Sequence, residues 1–158
     1  MTETRRNAQA SILDRLIDLD PEAPKEPVQY RLQDLRQLKA SVVRDLERLL
    51  NTRRPFEDPP EVFRNLRDSL FMYGLSDFTG HNPTAPAVRQ QLRLQIERTI
   101  SRFEPRLRNV VVRLEADTEK ERTLRFRISA LLIVEPLSEP VTFDTVLDMN
   151  RVQFKVAA

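Results

Sequence analysis

Up to residue 103 the apolar positions recur at steps of three and four, and beyond residue 106 they recur at steps of two. The first pattern belongs to helices with one buried stripe, the second to strands with one wet face. Leu35, Leu38, Val42, Leu46 and Leu49, widened by Val43 and Leu50, predict a helix over about 33–51. Val62, Phe63, Leu66, Leu70 and Phe71 predict the buried face of a second helix over about 59–72, with Asp58 as N-cap, Pro59 at its first position and Glu61 three residues after the cap. Gly74 is placed to end that helix in a left-handed conformation. Val88, Leu92, Ile96, Ile100 and Phe103 predict a third helix over about 84–103, capped by Asn82 or Thr84.

The period changes at Phe103-Glu104-Pro105-Arg106-Leu107. Pro105 lacks an amide proton and pushes Glu104 out of helical dihedrals, so it enforces the change. Val110, Val112, Leu114 and Ala116 alternate, a polar turn follows at 117–121, and Leu124, Phe126, Ile128, Ala130, Leu132 and Val134 form a long hairpin partner. Ala130 to Val134 is apolar on both faces, which predicts a mid-sheet or helix-covered place. Val141 and Phe143 begin another strand, and Val152, Phe154 and Val156 a last one. Three helices followed by about four strands predict an α+β fold, helices packed on a mostly antiparallel four-stranded sheet. A late strand is often a sheet edge, free to pair with another chain unless it is covered.

Residues 1–30 read as an arm preceding a single domain at 31–158. In the arm, Ile12, Leu13, Leu16 and Ile17 form a short apolar stripe, and Pro21, Pro24 and Pro27 make a semi-rigid spacer. The stripe is expected either to fold back on the domain or to be offered to a partner groove.

Composition narrows the function more than it narrows the fold. No apolar run approaches the roughly 18 residues needed to span a bilayer, and the start of the chain does not read as a signal peptide. There is no cysteine and one histidine, His81, so thiol chemistry, a Ser-His-Asp triad and a His-based zinc site have no residues within the chain. Two glycines, Gly74 and Gly80, cannot build a phosphate-binding loop, so no cofactor is expected. A cytoplasmic protein is the expectation.

The 26 Lys and Arg residues are nearly balanced by 24 Asp and Glu, giving a net charge of +2, and only Lys25, Lys39, Lys120 and Lys155 are lysines. Arginine dominance suits protein interfaces, although codon bias alone would also produce it. The acids are interleaved with the bases, whereas a nucleic-acid binder segregates its positive charge.

Two polar runs stand out. Asn51-Thr52-Arg53-Arg54 closes the first predicted helix, where its arginines complement the helix dipole or bind an anion or a partner carboxylate. At the helix-to-strand switch, an extended chain would turn Glu104 and Arg106 to one side. They then form either an internal brace or a docking unit for another protein. A third use is a glycosidase with Glu104 as acid and Glu135, Glu139 or Asp144 as its partner. Arg106 beside Glu104 opposes that role, because it favours the ionised carboxylate.

Ser11-Ile12-Leu13-Asp14-Arg15-Leu16, Val43-Arg44-Asp45-Leu46, Leu49-Leu50-Asn51-Thr52-Arg53-Arg54 and Tyr73-Gly74-Leu75-Ser76-Asp77-Phe78 resemble the TssE family, the baseplate wedge components of type VI secretion. Phe103-Glu104-Pro105-Arg106-Leu107, Glu135-Pro136 and Glu139-Pro140-Val141-Thr142-Phe143-Asp144-Thr145 continue the likeness over nearly the whole chain. The family is related to a wedge protein of contractile phage tails once labelled lysozyme-like. The resemblance implies a cytoplasmic, non-enzymatic protein that joins a TssF–TssG wedge and helps nucleate the TssB–TssC sheath at a baseplate associated with the inner membrane. It also implies that Glu104, Pro105 and Arg106 dock on the TssF–TssG helical bundle, and sheath contact by strand addition would suit the late strands.

Overall fold

The computed structural model describes residues 8–9, 16, 32–33, 35–54, 62–67, 69–78, 80, 85–115, 123–134 and 137–158. The elements are β1 (Ala8–Gln9), β2 (Leu32–Gln33), α1 (Leu35–Asn51), α2 (Arg64–Arg67), a 3₁₀ turn (Leu70–Met72), α3 (Pro86–Phe103), β3 (Leu107–Leu114), β4 (Thr123–Val134), β5 (Leu137–Asp148) and β6 (Gln153–Ala157). The fold is α+β: two long helices lie on an antiparallel sheet of order β3-β4-β5-β6. Short antiparallel pairing of β1 with β2 sets the chain just before α1. Of the arm, only Ala8, Gln9 and Leu16 are described, and Leu16 is exposed; the remaining stripe, the proline spacer, Asp58, Pro59, Glu61, His81, Asn82, Thr84, Glu135 and the 117–121 turn lie outside the described residues.

The two-residue period of β4 fixes which face is covered. Leu124, Phe126, Ile128, Ala130, Leu132 and Val134 are all buried, while Arg125, Arg127 and Ser129 point to solvent. Leu131 and Ile133 are half-buried, consistent with a strand inside the sheet. Val141, Phe143, Leu147, Phe154 and Val156 complete the same face, and Val42, Leu46, Leu50, Ile96 and Ile100 come down on it from α1 and α3. Burying such side chains contributes about 1.5–3 kcal/mol each.

The second predicted helix is not there as one piece. A single turn, α2, and the separate 3₁₀ turn replace it, and Val62, Phe63, Leu70 and Phe71 are exposed while Met72 is buried. Ser69 causes the break: its backbone is extended (φ −86°, ψ 163°), and its hydroxyl donates to the Leu66 carbonyl at 2.7 Å. Serine competes for backbone partners in this way, which is why it favours helix ends over helix interiors. The third helix takes Ala85 as N-cap, one residue after Thr84 and three after Asn82, with Pro86 at the first position, where a missing N–H costs nothing.

Gly74 has positive φ (+99°) directly after Tyr73, the C-cap of the 3₁₀ turn, so it ends that turn rather than a long helix. It lets 73–75 run against the end of α1, where Leu75 N–H donates to the Thr52 carbonyl and Arg54 N–H to the Leu75 carbonyl, both at 2.9 Å. A Cβ on residue 74 would lie 2.4 Å from the Thr52 carbonyl oxygen. Gly74→Ala is therefore expected to lower stability by roughly 2 kcal/mol, read as a lower urea midpoint at constant slope. An unchanged midpoint would mean the Thr52–Leu75 contact is not needed.

Candidate functional site

Pro105 ends α3 as its chemistry requires. Glu104 is the C-cap, its N–H donating to the Ile100 carbonyl at 2.9 Å, and Leu107 N–H then donates to the Glu104 carbonyl at 3.1 Å. The segment is thus a tight turn with Pro105 second, the position that its fixed φ suits, and not the extended chain expected from the sequence. The turn still brings the two charges together. Arg106 Nε donates to Glu104 Oε1 at 2.7 Å and Nη2 to Oε2 at 2.5 Å, a bidentate pair.

That pair continues into α1. Arg106 Nη2 also donates to Asp45 Oδ2 at 2.7 Å, and Nη1 to the Ser41 hydroxyl at 3.2 Å. Glu104 is 4 % exposed and Pro105 is exposed, while the Arg106 side chain retains 25 % exposure. Burial acts against the Arg106 charge, but the hydrogen bonds and charges of Glu104 and Asp45 outweigh it and hold the guanidinium more firmly protonated than usual. Tyr73, stacked edge-on against Phe103 at 5.4 Å, borders this cluster, and burial followed by the Asp45 and Glu104 charges raises its pKa. The corner therefore fastens the α3–β3 exit onto α1. Both carboxylate oxygens of Glu104, the acid of the glycosidase reading, are engaged by Arg106. Glu139 pairs with Lys39 at 3.2 Å and Asp144 with Arg127 at 3.0 Å.

Asn51 and Arg53 form a second joint, on β6 and the turn before it, while Thr52 and Arg54 pair through their backbones with Leu75. The Asn51 amide treats Phe154 as a neighbouring strand would: Nδ2 donates to its carbonyl at 2.9 Å and Oδ1 accepts its N–H at 2.8 Å. One turn earlier, Glu47 Oε2 accepts Val156 N–H at 3.3 Å. Arg53 donates to the carbonyls of Leu50 and Val152, both at 2.9 Å, and so ties the helix end to Val152, whose positive φ (52°) is costly for a β-branched residue. Its guanidinium lies 4.7 Å from the Phe78 ring centroid, and Phe78 meets Phe154 edge-on. Burial lowers the Arg53 pKa, with Asp77 opposing it. Thr52 bonds back to the Arg48 carbonyl at 2.8 Å.

The C-terminal strand is an edge in topology but a covered one. Helix side chains occupy the outward backbone groups of Phe154 and the outward N–H of Val156. Because Phe154 faces α1, Gln153, Lys155 and Ala157 face β5, and their partners there are Asp148, Val146 and Asp144. The same alternation turns Ser138, Pro140 and Thr142 to the side of β5 that β6 does not reach. Pro140 brings no N–H to that open stretch, a common guard against unwanted pairing. On the opposite edge Val112 is held in the same manner: Arg93 Nη1 donates to its carbonyl at 3.0 Å, and Glu97 Oε2 accepts its N–H at 2.9 Å. The sequence carried no sign of Glu47, Arg93 or Glu97 in this role; their one signal is a polar residue at the strand-facing border of each helical stripe.

Two polar joints and two clamped sheet edges define a rigid structural α+β domain. A family model described as "Baseplate wedge protein gp25" matches residues 36–137, and the chain belongs to that family of baseplate components. The resemblance read from the sequence to a baseplate wedge family is thereby borne out. Among solved structures, a chain of "The baseplate complex from the type VI secretion system" is similar with a TM-score of 0.50 and 20 % identity, over 70 % of this chain and 94 % of that chain, a likeness of fold. A search of curated proteins finds no match. No helix among the described residues is long and apolar enough to cross a membrane, and no group of acids and histidines among them is arranged to hold a metal.

Proposed function

We propose that this chain is a TssE-type, non-enzymatic wedge subunit of a type VI secretion baseplate, working in the cytoplasm, docking on TssF–TssG and helping to nucleate the TssB–TssC sheath. The observation that carries the reading is the family match over residues 36–137, which spans α1, α3, β3 and β4, and hence the whole Glu104–Arg106 corner and the helix side of the second joint. Glu104, Pro105 and Arg106 are the docking residues. Pro105 and the exposed part of Arg106 meet the partner, and Glu104 acts from beneath by fixing the guanidinium, so that little side-chain entropy is lost on binding. Asn51, Thr52, Arg53 and Arg54 form the second contact region, with Asn51 and Arg53 setting its shape.

Pro105→Glu tests the docking role, since its side chain is exposed and outside the ion pair. In cells lacking the native protein, sheath assembly should be restored by the wild type and reduced at least about tenfold by the variant, a loss equivalent to 1.4 kcal/mol of docking energy. Thermal stability of the isolated protein should change little. Full restoration by Pro105→Glu would remove this turn from the interface.

A further inference from the structure

The donors that the Glu104–Arg106 corner leaves unused define what can dock on it. A guanidinium has five N–H groups. In Arg106, Nε and one Nη2 N–H go to Glu104, the other Nη2 N–H goes to Asp45, and one Nη1 N–H goes to Ser41. The Ser41 hydroxyl donates in turn to the Leu38 carbonyl at 2.9 Å, so it is held as an acceptor. A single Nη1 N–H of Arg106 remains. The fork that would grip a partner carboxylate bidentately is already filled by Glu104.

Tyr73 supplies a second unused donor. Its ring is half-buried against Phe103, yet its hydroxyl has no hydrogen-bond partner among the described residues and is not sealed from solvent. A tyrosine hydroxyl left unpaired on burial is costly, so a surface that closes over this ring must bring an acceptor. That acceptor meets negative charge: Asp45 and Glu104 each act on the phenol more strongly than the exposed Arg48 that opposes them, and together with burial they keep it a protonated donor. A third carboxylate is therefore disfavoured there, whereas an uncharged oxygen is not. Apolar surface adjoins the two donors. Leu70, whose carbonyl accepts the Tyr73 N–H at 3.1 Å, is 85 % exposed, and Pro105 is exposed next to Arg106. We propose that Tyr73 and Leu70 are docking residues of this corner, and that the wedge partner meets it with an apolar surface carrying uncharged oxygen acceptors rather than with an acidic one. The inference rests on the reading that the corner docks on TssF–TssG, and it names the chemistry of that contact.

The test is the Kd of the intact chain for purified TssF–TssG from the same source, measured by biolayer interferometry at about 50 and 500 mM NaCl. Tyr73→Phe removes only the unbonded hydroxyl and keeps the ring on Phe103, so its melting temperature should equal that of the wild type. It should weaken binding roughly fivefold, the equivalent of about 1 kcal/mol for one hydrogen bond, and by the same factor at both salt concentrations. Leu70→Asp should weaken binding at least as much, again without loss of the fold. Pro105→Glu serves as the control for docking at the corner. Wild-type affinity in Pro105→Glu would overturn the docking reading, and this inference with it. Weakened binding in Pro105→Glu but none in Tyr73→Phe or in Leu70→Asp would overturn this inference alone. So would a Tyr73→Phe loss that shrinks at high salt, the sign of a charged acceptor, or a Tyr73→Phe protein that melts several degrees lower.

Discussion

Arg106→Ala is expected to destabilise the isolated domain by about 3 kcal/mol and to lower its melting temperature by roughly 6–12 °C. The guanidinium engages both oxygens of Glu104, which is 4 % exposed and whose Oε1 also accepts the Arg106 N–H at 3.3 Å, and it reaches Asp45 and Ser41 on α1. Removing it strands a carboxylate that has little water to fall back on, and it unfastens α1 from the α3–β3 turn. The residual exposure of the arginine keeps the cost near the lower end for a broken buried pair. Glu104→Ala should cost less, about half as much, because Arg106 keeps Asp45 and some solvent. Glu104→Leu with Arg106→Met replaces the pair by apolar groups of similar size and should recover most of the loss. Equal stability of Arg106→Ala and wild type in urea titration would show that the pair braces nothing.

Asn51→Ala should also cost about 3 kcal/mol, from three hydrogen bonds at about 1 kcal/mol each, two of them to the Phe154 backbone and one to the Glu47 carbonyl. It carries a second consequence. The outward N–H and C=O of Phe154 become an open sheet edge, and such edges pair with other chains. Amide exchange at Phe154 should accelerate, and the variant should self-associate on size-exclusion chromatography as concentration rises. Asn51→Asp keeps an acceptor for the Phe154 N–H and should fall between the two. A monomeric Asn51→Ala protein with native exchange at Phe154 would mean that Glu47 and Arg53 suffice to close this edge.

Much of the fold was legible because its strongest signals are local. The two-residue period of Leu124 to Val134 named six buried positions on β4, and the α1 stripe named five of its six buried residues. The sixth, Ser41, is polar and bonds to Arg106, so no hydrophobic pattern marks it. The 59–72 region misled because its stripe is continuous in hydropathy while Ser69 breaks the backbone, and one residue's choice of hydrogen-bond partner does not show in a periodicity. At the corner, the pairing of Glu104 with Arg106 was readable from their closeness in sequence. Their attachment to α1 was not, since Asp45 lies 61 positions away from Arg106. The same holds for Asn51 and Phe154, 103 positions apart: a polar residue at a helix end has several common uses, and only the returning strand decides among them. What the sequence resemblance added was the family, now carried by the match over residues 36–137.

Brace and docking element are compatible roles for one corner, and a single experiment separates them. Purified wild-type chain and the Glu104→Leu/Arg106→Met double variant are each mixed with TssF–TssG from the same source and resolved by size-exclusion chromatography with native mass spectrometry. The wild type should co-elute with TssF–TssG, and the double variant, folded and melting within a few degrees of it, should elute alone. Co-elution of the folded double variant at wild-type levels, or failure of the wild type to bind at all, would contradict a wedge subunit that docks through this corner.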